Sequence, residues 1–119
     1  MDPIPDLHDA AIVGITYDSS AKELALGLEI DGKRASLLFG DTFGWILSPF
    51  EDQNVIFEVN VHEPATTPAE LLAKLPPQYA QALERPGLKC IEISPSVGLG
   101  GYVVAGSLRY LGLPFKSMP

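Results

Sequence analysis

Residues 23–30 (ELALGLEI) alternate in a period of two. Leu24, Leu26, Leu28 and Ile30 point one way; Glu23, Ala25, Gly27 and Glu29 point the other. Such alternation over eight residues predicts a half-buried strand. Asp31-Gly32 follows, a pair favoured in two-residue hairpin turns. Residues 34–39 (RASLLF) then return with Ala35, Leu37 and Phe39 on one face. An antiparallel hairpin is therefore expected. Residues 11–17 (AIVGITY) are apolar and β-branched, with Val13, Ile15 and Tyr17 on one face, and Asp18-Ser19-Ser20 reads as the turn after them. Residues 55–61 (VIFEVNV) predict another strand. Its pattern puts Val55, Phe57, Val59 and Val61 toward the core, and Ile56, Glu58 and Asn60 away from it.

Between these strands, residues 40–54 lose the pattern. Gly40, Gly44 and Pro49 interrupt them, yet Phe43, Trp45, Ile46, Leu47 and Phe50 are too apolar for a free loop. A short edge strand or a packed Ω-like loop would suit them. Thr67-Pro68 reads as an N-cap followed by proline at the first helical position, opening a short helix over 68–75. Pro76-Pro77 ends it, and residues 78–83 have room for a further helical turn or two. Residues 88–94 and 102–111 read as the last two strands, joined by a glycine-rich turn. The predicted fold is α+β: one domain over 1–119, with a single antiparallel sheet of about six strands. One short helical segment is inserted before the last two strands. Leu26, Leu28, Leu37, Phe57 and Val59 are the expected core.

Composition narrows the class. At 119 residues and 46% hydrophobic, the chain can bury a core without disulfide or metal. Its one cysteine, Cys90, allows no internal disulfide, which favours a reducing compartment and a cytoplasmic location. Met1 to Asp9 lacks the basic and apolar regions of a signal peptide, and no apolar run reaches the roughly 20 residues of a membrane helix. The net charge is −7 and is unevenly spread. Residues 1–63 hold three Lys and Arg against twelve Asp and Glu, a net −9; residues 64–119 hold five against three, a net +2. Binding to nucleic-acid phosphates needs clustered cations and is disfavoured. A basic protein partner suits this charge, although an acidic surface also serves solubility alone.

No catalytic, metal or cofactor constellation is legible. Asp6, His8 and Asp9, with His62 and Glu63 further on, are ligand types without ligand spacing. A general base would be sought first at His8 or His62, but neither has a nucleophile at a recognisable distance along the chain. Cys90 lies in an apolar strand, where a free cysteine is usually a small buried hydrophobe. Gly98-Leu99-Gly100-Gly101 looks like a phosphate-cradling loop, but a strand rather than a helix follows it, so a hairpin connection is expected. Pro76-Pro77-Gln78-Tyr79 fits a WW-domain ligand or, more simply, a helix stop and restart. Phe43, Trp45 and Phe50 stand beside Asp41, Glu51, Asp52 and Glu58. Aromatic anchors with an acidic rim are the composition of a protein interface; the alternative is that the aromatics close the core.

The segments LHDAAIVGITYD (Leu7 to Asp18), QNVIFEVNV (Gln53 to Val61) and ISPSVG (Ile93 to Gly98) resemble small bacterial immunity proteins of polymorphic and contact-dependent toxin systems. The resemblance implies a non-enzymatic protein that neutralises a cognate toxin by surface complementarity, with no cofactor. The expected binding residues are Asp41, Phe43, Trp45, Phe50, Glu51, Asp52 and Glu58. Two other readings stay open: an accessory domain of a larger assembly, and a ligand-binding or enzymatic domain. The last would be favoured by a deep pocket that joins His8, His62 and carboxylates.

Overall fold

Asp31 and Gly32 both adopt positive φ, 51° and 77°. Two such residues in succession make the tight turn whose twist matches that of the flanking strands. In the computed structural model, which describes residues 4–112, this turn joins β2 (Glu23–Ile30) to β3 (Lys33–Gly40). Their antiparallel register runs from Leu24↔Phe39 to Ile30↔Lys33. Leu24, Leu26, Leu28, Leu37 and Phe39 are fully buried, as the alternation predicts. β1 (Ala11–Asp18) lies on the other side of β2. The Asp18 carboxylate ends β1 by accepting the backbone N–H groups of Ser20 and Ala21, at 2.9 and 3.2 Å.

The remaining strands are β4 (Gly44–Leu47), β5 (Val55–His62), β6 (Lys89–Val97), β7 (Gly101–Ala105) and β8 (Ser107–Gly112). The antiparallel sheet has eight strands in the order β4-β7-β6-β5-β1-β2-β3-β8. Two features raise the count from the expected six. The irregular 40–54 segment contains a short edge strand, and the chain over 102–111 bends at Gly106 into two strands. That bend rolls the sheet. β7 pairs with β6 and β4, while β8, directly after it, pairs with β3. The Gly106 N–H donates to the Gly40 carbonyl at 2.9 Å across the fold. The half β1-β2-β3-β8 thus lies over the half β5-β6-β7-β4. One apolar cluster fills the space between, with Leu26, Leu37, Phe39, Ile91, Val103 and Leu108 among its fully buried members. At the other corner β1 and β5 meet only at Ala11↔Val55, supported by backbone bonds of Asp9, Ala10 and Ile56.

Two helices, not one, stand between β5 and β6, before the last three strands rather than the last two. They are α1 (Ala69–Lys74) and α2 (Pro77–Ala82), preceded by a 3₁₀ turn at Pro64–Thr66. Leu75 is extended because the following Pro76 excludes the helical conformation. Thr67 does not cap α1, as its sequence position suggests. Pro68 occupies the cap, and the Thr67 hydroxyl donates to the Glu63 carbonyl at 2.8 Å. Leu71, Leu75 and Leu83 cover Cys90 and Val104 on the outer face of β6 and β7, forming a second small core.

Bulges overturn two face assignments. Phe57, expected in the core, is 51% exposed, and Ile56, expected outside, is fully buried. The register runs Val55↔Val97, Ile56↔Pro95, Glu58↔Ser94, so Phe57 has no residue opposite and the alternation loses phase there. Val59 is partly buried against the core. In β1 the register steps from Ile12↔Leu28 to Gly14↔Gly27, leaving Val13 as the extra, exposed residue. Beyond the bulge Ile15 and Tyr17 stand opposite the core residues Leu26 and Leu24, hence on the inner side. Both remain exposed, because among the described residues β1 has no strand paired on that side beyond Ala11.

Candidate functional site

At the open side of the rolled sheet, four aromatic rings come together from β1, α2, β4 and the residue just before β4. Trp45 on β4 stands opposite the fully buried Val103, so it points toward the interior from the sheet edge. Tyr17, from the end of β1, reaches it from the other half. Their ring centroids are 4.8 Å apart at 58°. Tyr79 arrives from α2 and crosses β4 at Gly44, where any side chain would run into the phenol. Its hydroxyl donates to the Trp45 carbonyl at 3.2 Å. Phe43 packs against Tyr79 edge to face, 5.5 Å at 83°, and the Arg85 guanidinium lies 5.2 Å from the centre of the Phe43 ring. Tyr17, Phe43, Gly44, Trp45 and Tyr79 line an open concavity of about 410 Å³. Tyr17 is 42% and Phe43 36% exposed, while Trp45 and Tyr79 are half-buried.

Of the expected binding residues, Phe43 and Trp45 meet here. Phe50 is exposed but does not line the concavity. The acids do not line it either. Asp41 is exposed in a left-handed conformation (φ 49°), close to Gly106. Glu51 and Asp52 are exposed on the turn after β4, and the Glu51 backbone is held by Asn54. Glu58 borders a separate cleft with Ile4, Pro5, Asp6, Leu7 and Val59. Nothing in the sequence singles out Tyr17 or Arg85, and Tyr79 is read only as part of the Pro76-Pro77-Gln78-Tyr79 motif. The β1 pattern groups Tyr17 with Val13 and Ile15 on one face without marking it as a contact residue, and nothing local tells which strand Tyr79 will cross.

The histidines lie at opposite ends of β5. His8 Nδ1 is 3.0 Å from the Phe57 carbonyl oxygen, and its ring stands edge-on to Phe57 at 5.3 Å. His62 Nε2 is 3.2 Å from a Glu92 carboxylate oxygen. Phe57 and His62 are five residue steps apart along the strand, a span of roughly 16 Å. The two histidines therefore do not share a site. His62 and Glu92 instead border a small cavity of about 150 Å³ with Glu70, Lys74 and Tyr102. Among the described residues no three His, Cys, Asp or Glu side chains converge as metal ligands. Asp6 accepts the His8 backbone N–H at 3.0 Å, a local turn.

Cys90 is fully buried beneath the helices, and desolvation, helped by the neighbouring Glu92 charge, pushes its thiol up from 9.0 to about 11. A thiol so placed is a poor nucleophile near neutrality. In the glycine-rich turn, the Leu99 N–H donates to Asn54 Oδ1 and the Gly100 N–H to the Ser48 hydroxyl, both at 2.9 Å. Those amides are occupied within the fold. Leu75-Pro76 joins the two helices, Pro77 opens the second, and Tyr79 is held by its own hydrogen bond. No helix among the described residues is long and apolar enough to cross a membrane. No family model matches the sequence, and neither a curated protein nor a solved structure matches it significantly.

Proposed function

We propose that this chain is a non-catalytic protein-binding domain whose contact face centres on the Tyr17–Phe43–Trp45–Tyr79 concavity. In this reading it acts as an acidic inhibitor of a basic partner, in the manner of an immunity protein that neutralises a toxin. The carrying observation is the position of Trp45. The ring is neither sealed in the core nor loose on a flexible loop. It is fixed on a strand, braced by Tyr17 and by the Tyr79 hydrogen bond, and open on one side. Rigid, partly exposed aromatics of this kind are the usual anchors of protein interfaces. Exposed Ile15, two residues before Tyr17 on the same side of β1, extends the apolar surface along that strand. The net −9 of residues 1–63 would steer a basic partner toward the molecule.

The test begins with affinity capture from the native host, comparing the wild-type chain with Trp45→Ala. Surface plasmon resonance against the protein retained follows, at two salt concentrations. Changing Glu51 and Asp52 together to Lys should slow association and flatten its salt dependence. Trp45→Ala should speed dissociation, with circular dichroism confirming that the variant folds. Unchanged kinetics in both variants would place the binding surface elsewhere. A partner without basic character would end the inhibitor reading.

A further inference from the structure

The aromatic concavity has a chemistry more specific than apolar contact. Among the described residues its side-chain lining is wholly aromatic, and Gly44 adds only backbone. Ring faces carry the negative end of the aromatic quadrupole and attract cations. One guanidinium already uses this property within the same cluster, Arg85 over Phe43. Tyr17 and Trp45 form a second aromatic pair with no cation paired to either ring among the described residues. The exposed Asp18 carboxylate follows Tyr17 directly, and the chain as a whole carries −7. A guanidinium suits such a place better than an ammonium. It is planar, stacks on rings, and gives up its hydration more readily.

We infer that the concavity is an arginine-binding site, in which a guanidinium of a basic protein partner stacks on Tyr17 and Trp45 as Arg85 stacks on Phe43. The inference rests on the reading of this face as the partner-binding surface and specifies what the partner presents to it. Arg85 is a like charge already seated on one of the lining rings, Phe43. Its removal should therefore strengthen binding, whereas loss of the Tyr17 ring should weaken it.

The experiment uses the full chain and two small probes, N-acetyl-arginine N-methylamide and its citrulline counterpart, which has the same shape without the charge. Trp45 is the only tryptophan, so a single indole N–H resonance reports the site directly in a titration at matched ionic strength. The arginine probe should shift that resonance saturably, with millimolar affinity, and bind at least fivefold more tightly than the citrulline probe. Tyr17→Leu should weaken the arginine probe at least fivefold. Arg85→Gln should tighten it two- to fivefold. Both variants alter exposed or half-exposed side chains, and their amide spectra will show whether the fold is kept. Equal response to the two probes would overturn the inference in favour of a purely apolar site. A shift that never saturates, or undiminished binding by a folded Tyr17→Leu variant, would overturn it too. If the probes fail while Trp45→Ala still speeds dissociation of the captured partner, the arginine is removed and the partner-binding face stands.

Discussion

The Asn54 side chain is buried and makes three hydrogen bonds. Its Oδ1 accepts the N–H groups of Glu51 and Leu99, both at 2.9 Å, and its Nδ2 donates to the Glu51 carbonyl at 2.8 Å. One amide thus ties the turn before β5 to the glycine-rich turn before β7. Asn54→Ala should cost about 1–3 kcal/mol in urea denaturation, because the buried Leu99 N–H would lose its acceptor. Phe57 and Leu26 make a contrasting pair. Leu26→Ala, in the closed core, should cost about 2–5 kcal/mol, while Phe57→Ala, at a half-exposed bulge, should cost less than half as much under the same conditions. Cys90 carries a pH prediction. Its pKa is raised on folding from 9.0 to about 11, so the protonated thiol is favoured in the native state. The resulting stability is fully present below pH 9. It should fall as pH rises from 9 to 11, at up to about 1.4 kcal/mol per unit. Thermal melts of wild type and Cys90→Ala across that range would isolate the contribution. Native protein should also resist thiol reagents at pH 8 until it is unfolded. The burial of Cys90 was anticipated from its apolar strand. The role of Asn54 was not, because both of its partners are loop backbones whose approach depends on the finished fold.

At the scale of elements, local and long-range information divide sharply. The β2–β3 hairpin is legible because its alternation and its turn residues lie within eighteen consecutive positions and agree. β1 and β5 are legible as strands, and Val59 and Val61 face the core as expected, but the facing around each bulge is not legible. A single bulge residue in each, Val13 and Phe57, shifts the phase, and bulges leave no mark in a hydrophobic pattern. β4 is too short, at four residues, to establish a period of its own. It is stabilised by pairing with β7 and by Tyr79, whose hydroxyl occupies the Trp45 carbonyl. Covering an edge strand in this way blocks its use as a template for another chain. Tyr79→Phe should therefore cost about 1 kcal/mol in denaturation and increase amide exchange in β4. Equal exchange in wild type and variant would show that the hydroxyl adds nothing to the edge.

At the scale of the whole molecule, the sheet is rolled but incompletely closed. β1 passes β5 at a single residue pair and then runs on with one side unpaired among the described residues. Amides of Val13–Asp18 that point away from β2 should exchange quickly in water, while those of β2 and β3 in the same experiment should exchange slowly. Slow exchange along all of β1 would mean that this edge is covered in solution. The same opening leaves the aromatic concavity accessible, so architecture and candidate site have one cause. Much of this was already determined in the sequence: an antiparallel, mainly sheet fold, the central hairpin and its core leucines, the helical segment broken at Pro76, and the acidic first half. Each depends on neighbours along the chain or on composition alone. Only the tertiary structure decided the strand count, the facing at each bulge, the separation of His8 from His62, and the meeting of Tyr17, Phe43, Trp45 and Tyr79. Those features arise where the chain bends at Gly106 and where β1 and β5 diverge. They join residues as far apart as 17 and 79, beyond the reach of any local periodicity.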